Sequence, residues 1–242
     1  MMFRIIKSGL FRLPAVIFFI IGLSEVSCFS QIPQTIDLAE IPQRKVRKYI
    51  EARNINHMQD FGLIHASWKK DLDESNFLFH EKTFFLKEKL SHVWDCYRKA
   101  DPTKSWNGPF VRFGLLISKK SNTAIYSNNS SFPEIDTGQI YFLDLRIMRG
   151  LFNLPMAFEI INIDPLNRII EFSYIDGNKS KGKQRIEFTD DPDGQIRITH
   201  KSYFRSDSQF RDNMLYPYFH RKFIRQFHRN MKQLVQEVTV TI

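Results

Sequence analysis

Two histidines and two tyrosines in the C-terminal half, His200, His220, Tyr174 and Tyr216, are the residues of this chain best suited to chemistry. Two imidazoles and two phenols converging on one bound group would offer acid, base and hydrogen-bond donors near neutral pH. The competing reading is that each histidine is a satisfied core or rim side chain, because neither has an evident carboxylate partner. Metal ligation has less support. Seven histidines are present, yet no H-x-x-x-H or H-E-x-x-H pair falls on a predicted element, and His220 and His228 point about 80° away from one another on a helix. No G-x-S-x-G elbow, P-loop or G-x-G-x-x-G occurs. Cys28 and Cys96 build neither a disulfide framework nor a zinc site. The sequence therefore predicts no metal, no cofactor and no catalytic set.

A run of strands closed by one long helix must position these groups. Phe77–Phe85 reads as a strand, and Lys87–Arg98 carries Leu90, Val93, Trp94 and Tyr97 at helical spacings before Asp101-Pro102 stops it. Six further strands are predicted at Phe110–Ile117, Gln139–Ile147, Pro155–Ile163, Arg168–Ile175, Lys183–Phe188 and Gln195–Phe204. Turn-forming residues at Asp164-Pro165, Asp176–Asn178 and Asp190–Gly194 separate the later ones. The polar stretch Ser118–Gly138 reads as a long loop with a short extra strand at Ala124–Ser127. Asp207 or Ser208 caps a helix reaching about Glu237. On it Tyr216, Phe219, His220, Phe223, Phe227, Met231 and Leu234 share one face, opposite Arg221, Arg225, Arg229 and Lys232. This order predicts an α+β helix-grip domain over residues 76–237: a curved antiparallel sheet of about seven strands wrapped on the C-terminal helix.

Strand alternation then assigns an inner face. In the last strand Ile196, Ile198, His200, Ser202 and Phe204 share one parity, opposite Arg197, Lys201, Tyr203 and Arg205. The same logic turns Ile186 and Phe188, Ile170, Phe172 and Tyr174, and Met156, Phe158 and Ile160 inward. It adds Tyr141, Leu143 and Leu145, and Val111, Phe113, Leu115 and Ile117 with Arg112 outward. A wall of this kind binds an apolar body and orients it through one or two hydrogen bonds. The expected lining is Phe113, Leu115, Phe158, Ile160, Ile170, Phe172, Tyr174 and His200 from the sheet and Tyr216, His220, Phe223 and Phe227 from the helix. Phe172 faces Phe223, and His200 with Tyr216 forms the polar end.

Over roughly residues 76–237 the chain resembles the START-like, polyketide cyclase/dehydrase and lipid-transport superfamily, above all bacterial members of unassigned function. The likeness is carried by FHEKTFFL at Phe79–Leu86, Val93-Trp94, Ser105-Trp106 and FSYIDG at Phe172–Gly177. It implies a hydrophobic cavity between the sheet and the C-terminal helix. It implies no activity, because the superfamily shares no catalytic signature. The N-terminal segment, an extension at 31–75 and the long loop at 118–138 depart from the cytosolic cyclases.

Composition agrees with a core-dependent fold: of 242 residues 43% are hydrophobic and 23 are Phe, against 10 Gly and 10 Pro. Residues 1–30 have the order of a signal peptide, with Arg4, Lys7 and Arg12 before the apolar run Leu13–Leu23 and small residues near Cys28 and Ser30. That run is short of the ~20 residues a membrane-spanning helix needs. Cleavage after Ser30 is expected. The alternative is a tether through acylated Cys28, against which Glu25 occupies a position that wants an apolar residue. Cleavage would lower the formal net charge from +9 to +7 by removing three basic residues and one acidic one. Residues 31–75 read as two short basic amphipathic helices that pad the main domain or lie on an anionic membrane surface. The stripe Arg221–Lys232 is a solvated face or a contact for anionic head groups, and no aromatic-basic interleaving favours nucleic acid. Residues 238–242 form a tail. The expectation is an exported, non-catalytic binder or carrier of a lipid-like or aromatic molecule. The alternatives are a cyclase/dehydrase-type enzyme working through His200 or His220 and a structural protein with a filled core.

Overall fold

The computed structural model describes residues 35–240, so the expectations for residues 1–30 lie outside the described residues. Eight strands, β1 (Leu78–Leu86), β2 (Val111–Ser118), β3 (Thr123–Tyr126), β4 (Gln139–Ile147), β5 (Phe152–Asp164), β6 (Ile169–Tyr174), β7 (Ser180–Asp190) and β8 (Ile196–Ser206), form one sheet in the order β1-β8-β7-β6-β5-β4-β2-β3. Every neighbouring pair is antiparallel. The short strand foreseen in the loop after β2 is β3, which pairs Leu115–Ser118 with Thr123–Tyr126. Between β1 and β2 lie α2 (Leu90–Lys99) and α3 (Pro102–Ser105). Asp101-Pro102 does more than stop α2. The Asp101 carboxylate accepts from the Thr103 N–H at 2.7 Å and Pro102 takes the first helical position, so the pair also starts α3.

The long C-terminal helix α4 (Tyr216–Val240) follows a π-turn at Arg211–Leu215. Of the two candidate caps, Ser208 Oγ accepts from the Arg211 N–H at 3.3 Å, while Asp207 pairs with the Arg211 guanidinium. The fully buried stripe runs through His220, Ile224, Phe227, His228, Met231 and Val235. Tyr216, Phe219 and Phe223 face the same way but are only half-buried, because they border open space. Arg221, Arg225, Arg229 and Lys232 are exposed on the far side.

One core fills the concave side. Val111, Phe113, Leu143, Phe158, Phe172, Phe188 and Ile198 of the sheet pack there with Val93, Trp94 and Tyr97 of α2 and Phe227 and Met231 of α4. A second core, not foreseen, covers the convex face of β2, β4 and β5. It is built from the N-terminal extension: Ile41, Val46 and Ile50 around α1 (Arg44–Glu51), and Met58 and Phe61 of a 3-10 turn at Met58–Leu63. The extension therefore holds one α-helix and several 3-10 turns rather than two helices, and it pads the domain. β2 and β4 are apolar on both faces, as strands covered on both sides must be.

This second core corrects the expected inner face of β2. The register slips between Phe113 and Leu115, and a bulge residue moves every later side chain to the opposite face. Leu116 consequently joins the concave core, whereas Leu115 and Ile117 lie in the convex one with Phe142 and Phe61. Gly114 sits at the slip, where a Cβ would stand 3.1 Å from both the Phe142 carbonyl oxygen and Val46 Cγ1. The missing side chain is what lets α1 approach.

Candidate functional site

A cavity of about 340 Å³ lies between the concave face of the sheet and the first half of α4. Leu143, Leu145, Phe158 and Phe172 form its sheet wall, Phe219, Phe223 and Ile224 its helix wall, and Trp106 closes one side. In one corner Tyr174 and Gln184 from the sheet meet Tyr216 and His220 from the helix, and the other polar lining residues are Asn178, Lys179, Ser180 and Arg211. The lining residues Lys179 and Leu215 are exposed, and with the half-buried Ile147 and Leu154 of the β4–β5 hairpin, Asn178 and Ser180 of the β6–β7 turn and Arg211 ahead of α4 they mark the mouth.

Half of the expected lining residues therefore meet here: Phe158, Phe172, Tyr174, Tyr216, His220 and Phe223. Phe172 and Phe223 stand on opposite walls. Ile160, Ile170 and Phe227 border a smaller void of about 40 Å³ that shares Phe158, Phe172 and Trp106 with the main cavity. Phe113 is fully buried in the concave core, edge-on to Phe132 at 5.8 Å. Leu115 is on the other side of the sheet. His200 points inward as alternation requires, but it is fully buried behind the lining, edge-on to Phe172 and His220 and hydrogen-bonded to Gln184.

The polar corner is the end of a buried hydrogen-bonded chain. Tyr97 Oη lies 2.8 Å from His228 Nδ1, His228 Nε2 lies 2.9 Å from His200 Nδ1, and His200 Nε2 lies 2.8 Å from Gln184 Oε1. His220 Nε2 reaches the same Gln184 oxygen at 2.9 Å and Ser202 Oγ at 3.2 Å. Gln184 Nε2 donates to the Tyr174 hydroxyl at 2.9 Å, and the Tyr174 and Tyr216 hydroxyls meet at 2.5 Å.

Proton positions follow from the one group that can only accept. Gln184 Oε1 requires a proton on Nε2 of both His200 and His220. Neutral His200 then accepts at Nδ1 from His228, and neutral His228 accepts at Nδ1 from the Tyr97 hydroxyl. This arrangement is complete with His200 and His228 uncharged, while the buried Nδ1 of His220 has no hydrogen-bond partner among the described residues. The neutrality of all three imidazoles comes chiefly from their burial, which holds His200 and His220 well below their usual range, with further lowering from neighbouring histidines, and takes His228 down to about 3. Burial likewise pushes the phenols of Tyr97, Tyr174 and Tyr216 up. The corner offers neutral hydrogen-bonding groups near pH 7 and no strong base.

Sequence reasoning missed Gln184, His228 and Tyr97 as members of this chain. Gln184 is within reach of the sequence, since it shares parity with Ile186 and Phe188 inside the predicted strand Lys183–Phe188. The angle between His220 and His228 argues only against a shared metal ion; it does not bear on the chain, because His200 of β8 reaches His228 directly. Tyr97 lies on another helix, and only packing brings it to His228. No three His, Cys, Asp or Glu side chains among the described residues are placed to hold a metal ion.

An antiparallel sheet wrapped on one long C-terminal helix, with a cavity between them, is a helix-grip α+β fold. Among solved structures the chain is similar to norcoclaurine synthase from Thalictrum flavum in complex with dopamine and hydroxybenzaldehyde, with 13% identity, 70% of this chain and 94% of that chain covered, and a TM-score of 0.47. It is also similar to a START superfamily protein from Mycobacterium smegmatis (12% identity, 66% and 98% covered, TM-score 0.45). A third similar structure is a protein from Thermus thermophilus (7% identity, 66% and 99% covered, TM-score 0.49). By sequence, no known family and no curated protein matches.

Proposed function

We propose that the protein binds a hydrophobic small molecule, lipid-like or aromatic, in the cavity between sheet and α4 and carries it unchanged outside the cytoplasm. The observation that supports this most is the cavity itself, with apolar walls and one neutral polar corner. That arrangement accommodates an apolar body and orients one polar group. Three histidines held neutral and phenols pushed upward make the corner a poor acid-base pair, which favours binding over turnover. A filled structural core is disfavoured because the space between Phe172 and Phe223 is open. The export component is supported by the order of residues 1–30. Native mass spectrometry of the purified protein tests binding: a co-purifying apolar molecule released unchanged is the expected result. A protein that neither carries nor takes up any apolar compound would sink the proposal. N-terminal sequencing tests export, with Gln31 as the expected first residue and an intact Met1 as the refutation.

The second reading, a cyclase-type enzyme, draws on the paired hydroxyls of Tyr174 and Tyr216 at the cavity wall. Its mark would be a bound compound that changes on incubation with the protein and persists intact with Tyr216→Phe.

A further inference from the structure

The surface around the cavity mouth is unlike the rest of the molecule. Among the described residues, seven of the fourteen exposed large hydrophobic side chains fall in two short segments that flank it. Met148, Leu151 and Phe152 are at the tip of the β4–β5 hairpin, adjoining the lining residues Ile147 and Leu154. Phe210, Met214, Leu215 and Tyr218 lie at the start of the C-terminal helical segment, of which Leu215 itself lines the mouth. Leu151 is 73% exposed and Met214 62%. Apolar side chains so placed on both rims of one opening mark an interaction surface rather than scattered exposure.

Charge narrows the partner. The three segments bounding the mouth, residues 145–156, 177–183 and 208–222, hold eight basic residues, Arg146, Arg149, Lys179, Lys181, Lys183, Arg211, Arg221 and Lys222. Of these Lys183 is buried and paired with Glu74 and Glu171, and Arg221 is on the far side of α4. Their one acidic residue, Asp212, is buried and accepts from the Ser206 N–H. Asp207, just outside, is paired with Arg211. Apolar tips ringed by basic groups complement a surface that is anionic outside and hydrocarbon within. We infer that the protein docks mouth-first on an anionic lipid bilayer, with the hairpin tip at Leu151–Phe152 and the turn at Met214–Leu215 entering the head-group boundary and the cavity opening toward the acyl chains. The inference rests on the rim alone. It stands apart from the carrier reading but would give a carrier direct access to membrane-dissolved cargo.

The test uses the full chain with phosphatidylcholine vesicles, with and without 30 mol% phosphatidylglycerol. An environment-sensitive fluorophore is attached in a Cys28→Ser/Cys96→Ser background through Leu151→Cys or, as control, Leu166→Cys. Leu166 is 92% exposed in the turn at the far end of β5. The expected result is a blue shift at position 151 with phosphatidylglycerol vesicles, weakened by salt, and none at 166. Partitioning should fall at least tenfold in Leu151→Asp/Phe152→Asp and in Lys179→Glu/Arg211→Glu. No response at 151, an equal response at both positions, or partitioning unaffected by the rim substitutions would overturn the inference. So would self-association abolished by Leu151→Asp without any vesicle response, which would assign the rim to a second copy. Docking without cargo in native mass spectrometry would refute the carrier alone, and cargo without docking would refute the docking alone.

Discussion

Lowering the pH from 7.5 to 5.0 should remove a large part of the protein's stability through the three buried imidazoles. His200, His220 and His228 are neutral in the folded chain because burial depresses each of them. In the unfolded chain each titrates near 6.5. The unfolded state therefore binds more protons as pH falls below about 6.5, so stability present above that value is lost on acidification. The loss continues until the folded-state values are reached, about 3 for His228. At pH 5.0 a histidine that protonates only on unfolding favours the unfolded state by about 2 kcal/mol, and three give about 6 kcal/mol. That is comparable to the ~5–15 kcal/mol that holds a typical domain together. The assay is urea unfolding followed by fluorescence at half-unit steps between pH 7.5 and 5.0. The slope should approach three protons taken up per molecule unfolded from these histidines, with a further uptake by His80, which burial also lowers. Replacing His228 by Asn should cut the acid-induced loss by about a third, to about 4 kcal/mol, whatever it does to stability at pH 7.5. A midpoint that stays constant over this range, or an uptake of less than one proton, would refute the assignment of three neutral buried histidines.

Phe223→Ala should cost only about 1–2 kcal/mol, less than the ~3–5 kcal/mol of a tightly packed ring, because the side chain is half-buried beside an open cavity. Denaturant unfolding measures the cost, and a loss above about 4 kcal/mol would show the ring sealed in a core. Gly182→Ala should lower the melting temperature severely or prevent folding, since a Cβ at φ +126° would stand 2.0 Å from the Tyr203 carbonyl oxygen in the neighbouring strand. A near-neutral effect would mean that the β7–β8 pairing differs at that point. Phe61→Ala should cost about 3–5 kcal/mol, as the ring is fully buried against Phe142 in the convex core; a loss below about 1 kcal/mol would mean that the extension is a detachable pad.

Much of the fold could be read from period and punctuation. Period-two alternation placed seven strands within a few residues of their ends, and the 3.6-residue period with a Ser208 cap placed the last helix. Each of these signals is local, so neighbouring residues suffice to express it. Alternation also aimed Phe158, Phe172 and Tyr174 at the cavity and His200 into the interior. It failed at Leu115, because a single-residue slip at Gly114 inverts parity and leaves no mark in the hydrophobic pattern of a strand buried on both faces. That the extension could pad the domain is legible in its amphipathic pattern, but not that it covers the convex face of β2, β4 and β5, because those strands are apolar on both sides and their pattern does not say which segment packs on which face. Tertiary structure alone decided the polar corner. Tyr97, Gln184, His200 and His228 come from two helices and two strands across 131 positions of sequence separation, and hydrogen bonds between such groups depend on distances of a few tenths of an ångström that no spacing rule encodes. Whether a Phe-rich interior closes into a solid core or leaves room for a ligand is likewise a matter of how sheet curvature and helix position divide the volume, and here they leave about 340 Å³ beside Phe172 and Phe223.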